Sequence, residues 1–332
     1  MVKMQAHPFK QITRGALGCI LGLTLSIMGY IASFSTRLRR LCKQMGYWYI
    51  SAAVIVAYLP IYLNGAETKV LPSQGGMQSD SFRQDRLWQL VASYLQLECI
   101  REAPLNPTER YVFGLHPNAI SKFSGLAFCG GNFERLFPGI SPRILLSSPL
   151  FYLPGIRELC LWLAGVDASA DVADSVLDNG MSVVLYPGSL SEVLSTSTSS
   201  SEMELMLHQH LDFVKLAIRH GVSLVPTMIF GEKNLYRSWR VPQSMPDAMA
   251  WILRLPLLIA RGRFGTWLPF LPEGKRKLGV VFGPPIAVQQ MDDPSEDEIR
   301  QVHAIYVESL VTLFESYKGD FGYDHEARLV LV

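Results

Sequence analysis

Arg110-Tyr-Val-Phe-Gly-Leu-His-Pro-Asn-Ala119 is a short apolar run that closes on a histidine and a proline. Tyr111, Val112, Phe113 and Leu115 favour a buried strand, and Pro117, which has no N–H for a ladder, ends it at His116. An imidazole is thereby presented at the carboxyl edge of a strand, the edge where open α/β sheets hold ligands. A side chain whose ordinary pKa is about 6.5 suits general-base work there. A histidine in an ordinary turn has the same local signature, so the rest of the chain has to decide.

Three more apolar runs stop the same way. Met181–Tyr186 runs into Pro187-Gly188, Val222–Phe230 into Gly231-Glu232, and Leu278–Phe282 into Gly283-Pro284-Pro285. Helical patterns lie between or after them. Asp171–Asn179 and Leu211–His220 each end at a glycine, and a longer one opens at Ser295 with Glu298 as its capping-box partner. It carries Ile299, Val302, Tyr306, Leu310, Leu313 and Tyr317 on one face and closes at Gly319. Strands alternating with helices predict an α/β fold with a largely parallel sheet and flanking helices.

Upstream, the chain is more apolar than a soluble enzyme of 332 residues should be. Charged residues are 18% of the total, against about 25% in ordinary globular proteins. From Gly15 to Thr36 there is no charge, and a second uncharged run extends from Gln44 to Ala66, with Tyr47, Trp48, Tyr49, Tyr58 and Tyr62 near its ends. Two such runs joined by Arg37–Lys43 predict a hydrophobic two-helix membrane hairpin with both flanks on one side. A signal peptide would also explain the first run, but a second follows at once and no small-residue cleavage site precedes Arg37. Positive charge on both the flank and the loop leaves the orientation undecided. The expected organisation is a hairpin over 1–66, a linker over 67–86 and an α/β domain over 87–332. The stretch 248–260 reads as an interfacial helix or a buried helix pair, and Ser195–Ser201 as a low-complexity insertion.

Balanced charge (30 basic against 29 acidic residues) excludes a nucleic-acid footprint. The five scattered cysteines support neither a zinc site nor a disulfide framework, so no metal is expected. Tyr186-Pro-Gly-Ser-Leu-Ser-Glu-Val193 places Glu192 shortly after a strand end, where its carboxylate can orient an imidazole, and Gly188 allows close backbone approach. No nucleophile elbow, Walker loop or dinucleotide fingerprint is present.

Tyr111–Pro117, Leu136–Ile140, Phe213–Gly221, Phe230-Gly-Glu232, Val281–Ile286 and Tyr306–Phe314 occur in the order found in the diacylglycerol acyltransferase 2 family, which the chain resembles from about 110 to 322. That resemblance implies a glycerolipid-acyltransferase-like fold at the endoplasmic reticulum membrane, with a cytosolic catalytic domain. It implies acyl transfer from acyl-CoA, a substrate, to diacylglycerol, monoacylglycerol or a fatty alcohol, with no bound cofactor. On this reading His116 is the base and Glu192 its partner. Pro117, Asn118, Gly188, Lys215, Arg219, Phe230, Gly231 and Glu232 contact substrate, the two cations serving the coenzyme A phosphates. Membrane lipid, and a second copy of the chain, are the other expected partners.

The chain departs from the family where it matters. The usual His-Pro-His-Gly is His116-Pro117-Asn118-Ala119, the usual Gly-Gly is Gly188-Ser189, and the usual Arg-x-Gly-Phe is His210-Leu211-Asp212-Phe213. Ser121 stands where related acyltransferases carry the aspartate partner of the histidine. A catalytically impaired paralogue that binds lipid or tunes an active enzyme is therefore the alternative.

Overall fold

The computed structural model describes residues 2–5, 48–118, 122–187, 202–205, 211–232, 237–240, 258–261 and 277–331. Its strands are β1 (Val2–Gln5), β2 (Glu98–Arg101), β3 (Tyr111–His116), β4 (Pro142–Leu146), β5 (Gly165–Asp167), β6 (Ser182–Leu185), β7 (Glu202–Leu205), β8 (Ser223–Phe230), β9 (Arg237–Arg240), β10 (Leu258–Arg261), β11 (Gly279–Phe282) and β12 (Arg328–Leu331). Its helices are α1 (Trp48–Tyr62), α2 (Asp80–Arg83), α3 (Arg86–Tyr94), α4 (Asn132–Leu136), α5 (Ile156–Trp162), α6 (Ala170–Asp178), α7 (Asp212–His220) and α8 (Glu296–Tyr317).

Eight strands form one sheet in the order β1-β2-β11-β8-β3-β6-β4-β5. From β8 to β5 all neighbours are parallel, whereas β11 runs antiparallel to β8 and parallel to β2. The predicted α/β sheet is thus present and largely parallel. β3 lies between β8 and β6, and every residue of β3 is buried.

Period-2 alternation sends the two faces of β3 into different cores. Tyr111, Phe113 and Leu115 pack with Phe128, Phe133, Phe137 and Phe282 under α3 and α4. Val112 packs on the opposite face with the inward residues of α6, α7 and α8, among them Val176, Phe213, Tyr306 and Leu310. His116 shares the parity of Val112 and so faces α8. The long helix forms as its sequence predicts. The Ser295 hydroxyl accepts the Glu298 N–H, the Glu298 carboxylate accepts the Ser295 N–H, and the buried face includes Ile299, Tyr306, Leu310 and Leu313.

Two expectations change at the amino-terminal side. Of the run Gln44–Ala66, read as the second arm of a spanning or re-entrant hairpin, the described part is helical over Trp48–Tyr62, and the chain turns at Asn64 and Gly65, the latter at φ 64°. Among the described residues no helix is long and apolar enough to cross a membrane, and the first apolar run lies outside them. The stretch read as a linker, 67–86, is packed onto the domain. Val70 is buried and its carbonyl accepts from Arg143, while the buried Arg83 pairs with Glu134 at 2.6 Å. The described part of the apolar stretch near 248–260, Leu258–Arg261, is a strand paired with β9 rather than a helix.

A buried guanidinium fastens α1 to the domain. Arg157, 1% exposed, donates to the Ile61 carbonyl, to Asn64 and to Glu67, and pairs with Glu158. Glu158 also accepts from the Tyr58 hydroxyl at 2.7 Å, and the Tyr62 hydroxyl reaches the Tyr152 carbonyl. Tyr49, Ile50, Val54, Ile55, Val56 and Leu59 of α1 are exposed.

Candidate active site

The carboxyl ends of β3, β6 and β8 lie side by side, since Gly114 pairs with Leu185 and His116 with Met228. His116 therefore sits at that edge, as expected, but it is fully buried. Its Nε2 is 3.1 Å from the Tyr306 hydroxyl oxygen, and the same hydroxyl donates to the Gly114 carbonyl at 3.0 Å. Only glycine at 114 admits this contact, because a Cβ there would stand 2.1 Å from the hydroxyl oxygen. The Nδ1 atom is buried and has no hydrogen-bond partner among the described residues. Burial, reinforced by the neighbouring His303, lowers the imidazole pKa from 6.5 to about 3, so the ring is neutral at physiological pH, with one nitrogen protonated and the other bare.

On the other face of the same edge is a polar cluster. The Asn118 side-chain oxygen accepts from the Lys122 ammonium, which rests 3.8 Å from the centre of the Tyr186 ring. The Tyr186 hydroxyl is 2.9 Å from the Ser124 hydroxyl, and the Ser124 N–H donates to the buried carboxylate of Glu232. Burial, together with the Glu232 charge, raises the Tyr186 phenol well above its ordinary value, so it stays protonated. Gly231 makes this bend possible. Its φ is 80°, a Cβ would lie 2.2 Å from the Lys277 carbonyl oxygen, and its N–H donates to the Tyr323 hydroxyl.

The structure brings together some of the predicted site residues and separates others. His116, Pro117, Asn118 and Glu232 share the carboxyl edge. Phe230 is a core residue, its ring stacked 4.7 Å from Phe321. Lys215 lies on the exposed face of α7. Arg219 is at the far end of that helix, beside the start of β8 and hence at the opposite edge of the sheet, paired with Asp174 at 3.5 Å. Gly188 and Glu192 lie outside the described residues. Tyr306, Lys122, Ser124 and Tyr186 were not predicted as site residues. Only Tyr306 carried a legible signal, a phenol placed among the aliphatic residues of a buried helix face. Among the described residues no cluster of histidine, cysteine, aspartate or glutamate could hold a metal ion.

The geometry thus sets a buried histidine at the carboxyl edge of a parallel sheet, facing a long amphipathic helix. The family described as diacylglycerol acyltransferase matches residues 47–332. Mouse 2-acylglycerol O-acyltransferase 1 is 31% identical over 274 residues, covering 78% of this chain and 80% of that protein. Diacylglycerol O-acyltransferase 2B of Umbelopsis ramanniana is 30% identical over 279 residues, covering 79% and 78%. Mouse acyl-CoA wax alcohol acyltransferase 2 is 27% identical over 316 residues, covering 86% and 94%. The crystal structure of the 1-acyl-sn-glycerophosphate acyltransferase PlsC from Thermotoga maritima aligns with a TM-score of 0.40 at 17% identity, covering 83% of this chain and 97% of that one, a likeness too loose to bear on the site. The chain belongs to the diacylglycerol acyltransferase family. It is an acyltransferase.

Proposed function

We propose that the protein is a membrane-bound O-acyltransferase that joins the acyl group of acyl-CoA to diacylglycerol, forming triacylglycerol, with His116 as the general base. The observation that carries this reading is a neutral sheet-edge imidazole with an unpartnered ring nitrogen, in a chain matching the family over 47–332. The imidazole takes the acceptor's hydroxyl proton as that oxygen attacks the thioester carbonyl. The new C–O bond forms, the C–S bond breaks, and the imidazolium returns its proton to the departing coenzyme A sulfur. Desolvation disfavours an isolated imidazolium, but not one formed beside a developing oxyanion in the same dry site. The proposed setting is the endoplasmic reticulum membrane, with the catalytic domain on the cytosolic side and no bound cofactor. Relatives whose names specify monoacylglycerol or wax alcohol make these the next acceptors to try.

Microsomes expressing the chain, supplied with labelled acyl-CoA and each of the three acceptors in turn, should form triacylglycerol from diacylglycerol, and His116→Ala should lower the rate about 100- to 10,000-fold. No product with any acceptor at normal expression counts against the reading. The full burial of His116 and the Asn118-Ala119 departure favour a second reading, a silent paralogue that binds lipid. Activity that rises from nothing in Asn118→His with Ala119→Gly supports that one.

A further inference from the structure

Tyr306 has one proton, and two partners compete for it. The Gly114 carbonyl, 3.0 Å from the hydroxyl oxygen, can only accept. His116 Nε2, at 3.1 Å, accepts in one tautomer and donates in the other. Were the phenol to donate to Nε2, its oxygen would face the carbonyl lone pairs across 3.0 Å with no hydrogen between, and the proton on Nδ1 would be a buried donor without an acceptor. With the proton on Nε2 both contacts are hydrogen bonds, in the order Nε2–H to Tyr306 oxygen and Tyr306 O–H to Gly114 carbonyl. What remains without a partner is the lone pair on Nδ1.

We propose that Tyr306 is the positioning residue of this enzyme: it holds His116 as the Nε2–H tautomer, so that Nδ1 is the nitrogen that receives the acceptor's proton. This rests on the reading of His116 as the base. It accounts for a catalytic histidine with serine at 121, since a phenol from the carboxyl-terminal helix fixes the ring from its other nitrogen. When Nδ1 is protonated, the Nε2–H to Tyr306 contact becomes charge-assisted, so the hydroxyl contributes more in the transition state than in the resting site. His303, one turn earlier on the same helix, faces the imidazole and opposes its charge.

The test is made on the full chain in membranes. Solid-state 15N spectra of histidine-labelled protein, with His116 assigned by difference against His116→Ala, should show a protonated Nε2 and a bare Nδ1. Tyr306→Phe should turn this into a mixture of tautomers and lower kcat about 10- to 100-fold, with KM for acyl-CoA unchanged. A loss of packing alone would move KM and thermal stability and leave the tautomer as it was. Wild-type protein carrying the proton on Nδ1 overturns the inference whether or not the variant folds. An enzyme that depends on His116 but turns over normally as Tyr306→Phe sinks the inference alone. Normal turnover of His116→Ala sinks the base together with it.

Discussion

His116 combines complete burial with the chemical task proposed for it, two properties that rarely coexist. The unfolded chain takes up a proton on this ring as pH falls through about 6.5, whereas the folded chain refuses it until about 3. A depressed histidine pKa therefore makes acidification across that window unfavourable to the fold, by about 1.4 kcal/mol per pH unit from this one group. Among the described residues, the groups acting on the ring are Tyr306, which stays protonated because burial raises its pKa, and His303, which opposes a charge on it. Denaturation midpoints of wild type should fall more steeply between pH 6.5 and 5 than those of His116→Ala, and kcat/KM should show no acid limb near 6.5. A limb at the ordinary histidine value would mean that the ring is solvated in the working enzyme. At this scale the sequence was informative about identity and poor about surroundings. A strand ending in His-Pro marks an edge histidine, but nothing local to residue 116 indicates a phenol 190 residues away.

Among the elements, β3, β6, β8, β11 and α8 were legible because each is an apolar run or stripe closed by glycine or proline. β2, β4 and β5 were not, because they are short and carry charged residues. Arg143 within β4 reads as a surface residue, yet it is buried with its guanidinium on the Val70 carbonyl. Arg219 shows a different failure. The helix was correctly delimited, but a helix that leads into the start of a parallel strand ends at the amino edge, away from the base. The contact between α1 and the domain makes a prediction at this scale. Arg157→Ala leaves Glu67 and Glu158 without their buried cation, which should cost about 3–5 kcal/mol. Protease sensitivity around 63–66 should rise in step, since Ile61 and Asn64 lose the group that holds them. A melting temperature within a degree of wild type would show that the Tyr58–Glu158 and Tyr62–Tyr152 bonds hold the helix without the guanidinium.

At the scale of the molecule, most of the exposed large apolar side chains among the described residues lie on one region. α1 exposes most of its side chains, and Tyr152 and Trp162, on the elements that receive it, are exposed as well. Contiguous apolar surface of this kind on a folded domain marks a contact with membrane or partner, and the uncharged run 15–36 precedes it. Cysteine or glycosylation tags placed before Gly15 and at the exposed turn near Ser73 should report the same compartment. Opposite compartments would mean that an odd number of segments crosses, and the two-helix hairpin would fall.

The bond between His116 and Tyr306 spans nearly the whole catalytic domain in sequence while being local in space. A ribosome releases the histidine long before the phenol, so a partly made chain holds an imidazole with nothing from α8 to orient it. Tyr306 emerges only after all the strands of the parallel set, and its contacts with His116 and the Gly114 carbonyl close when α8 docks. The proposed base would thus be oriented late in synthesis, and a translation product stopped before α8 would retain the sheet edge without the hydroxyl that aligns the ring.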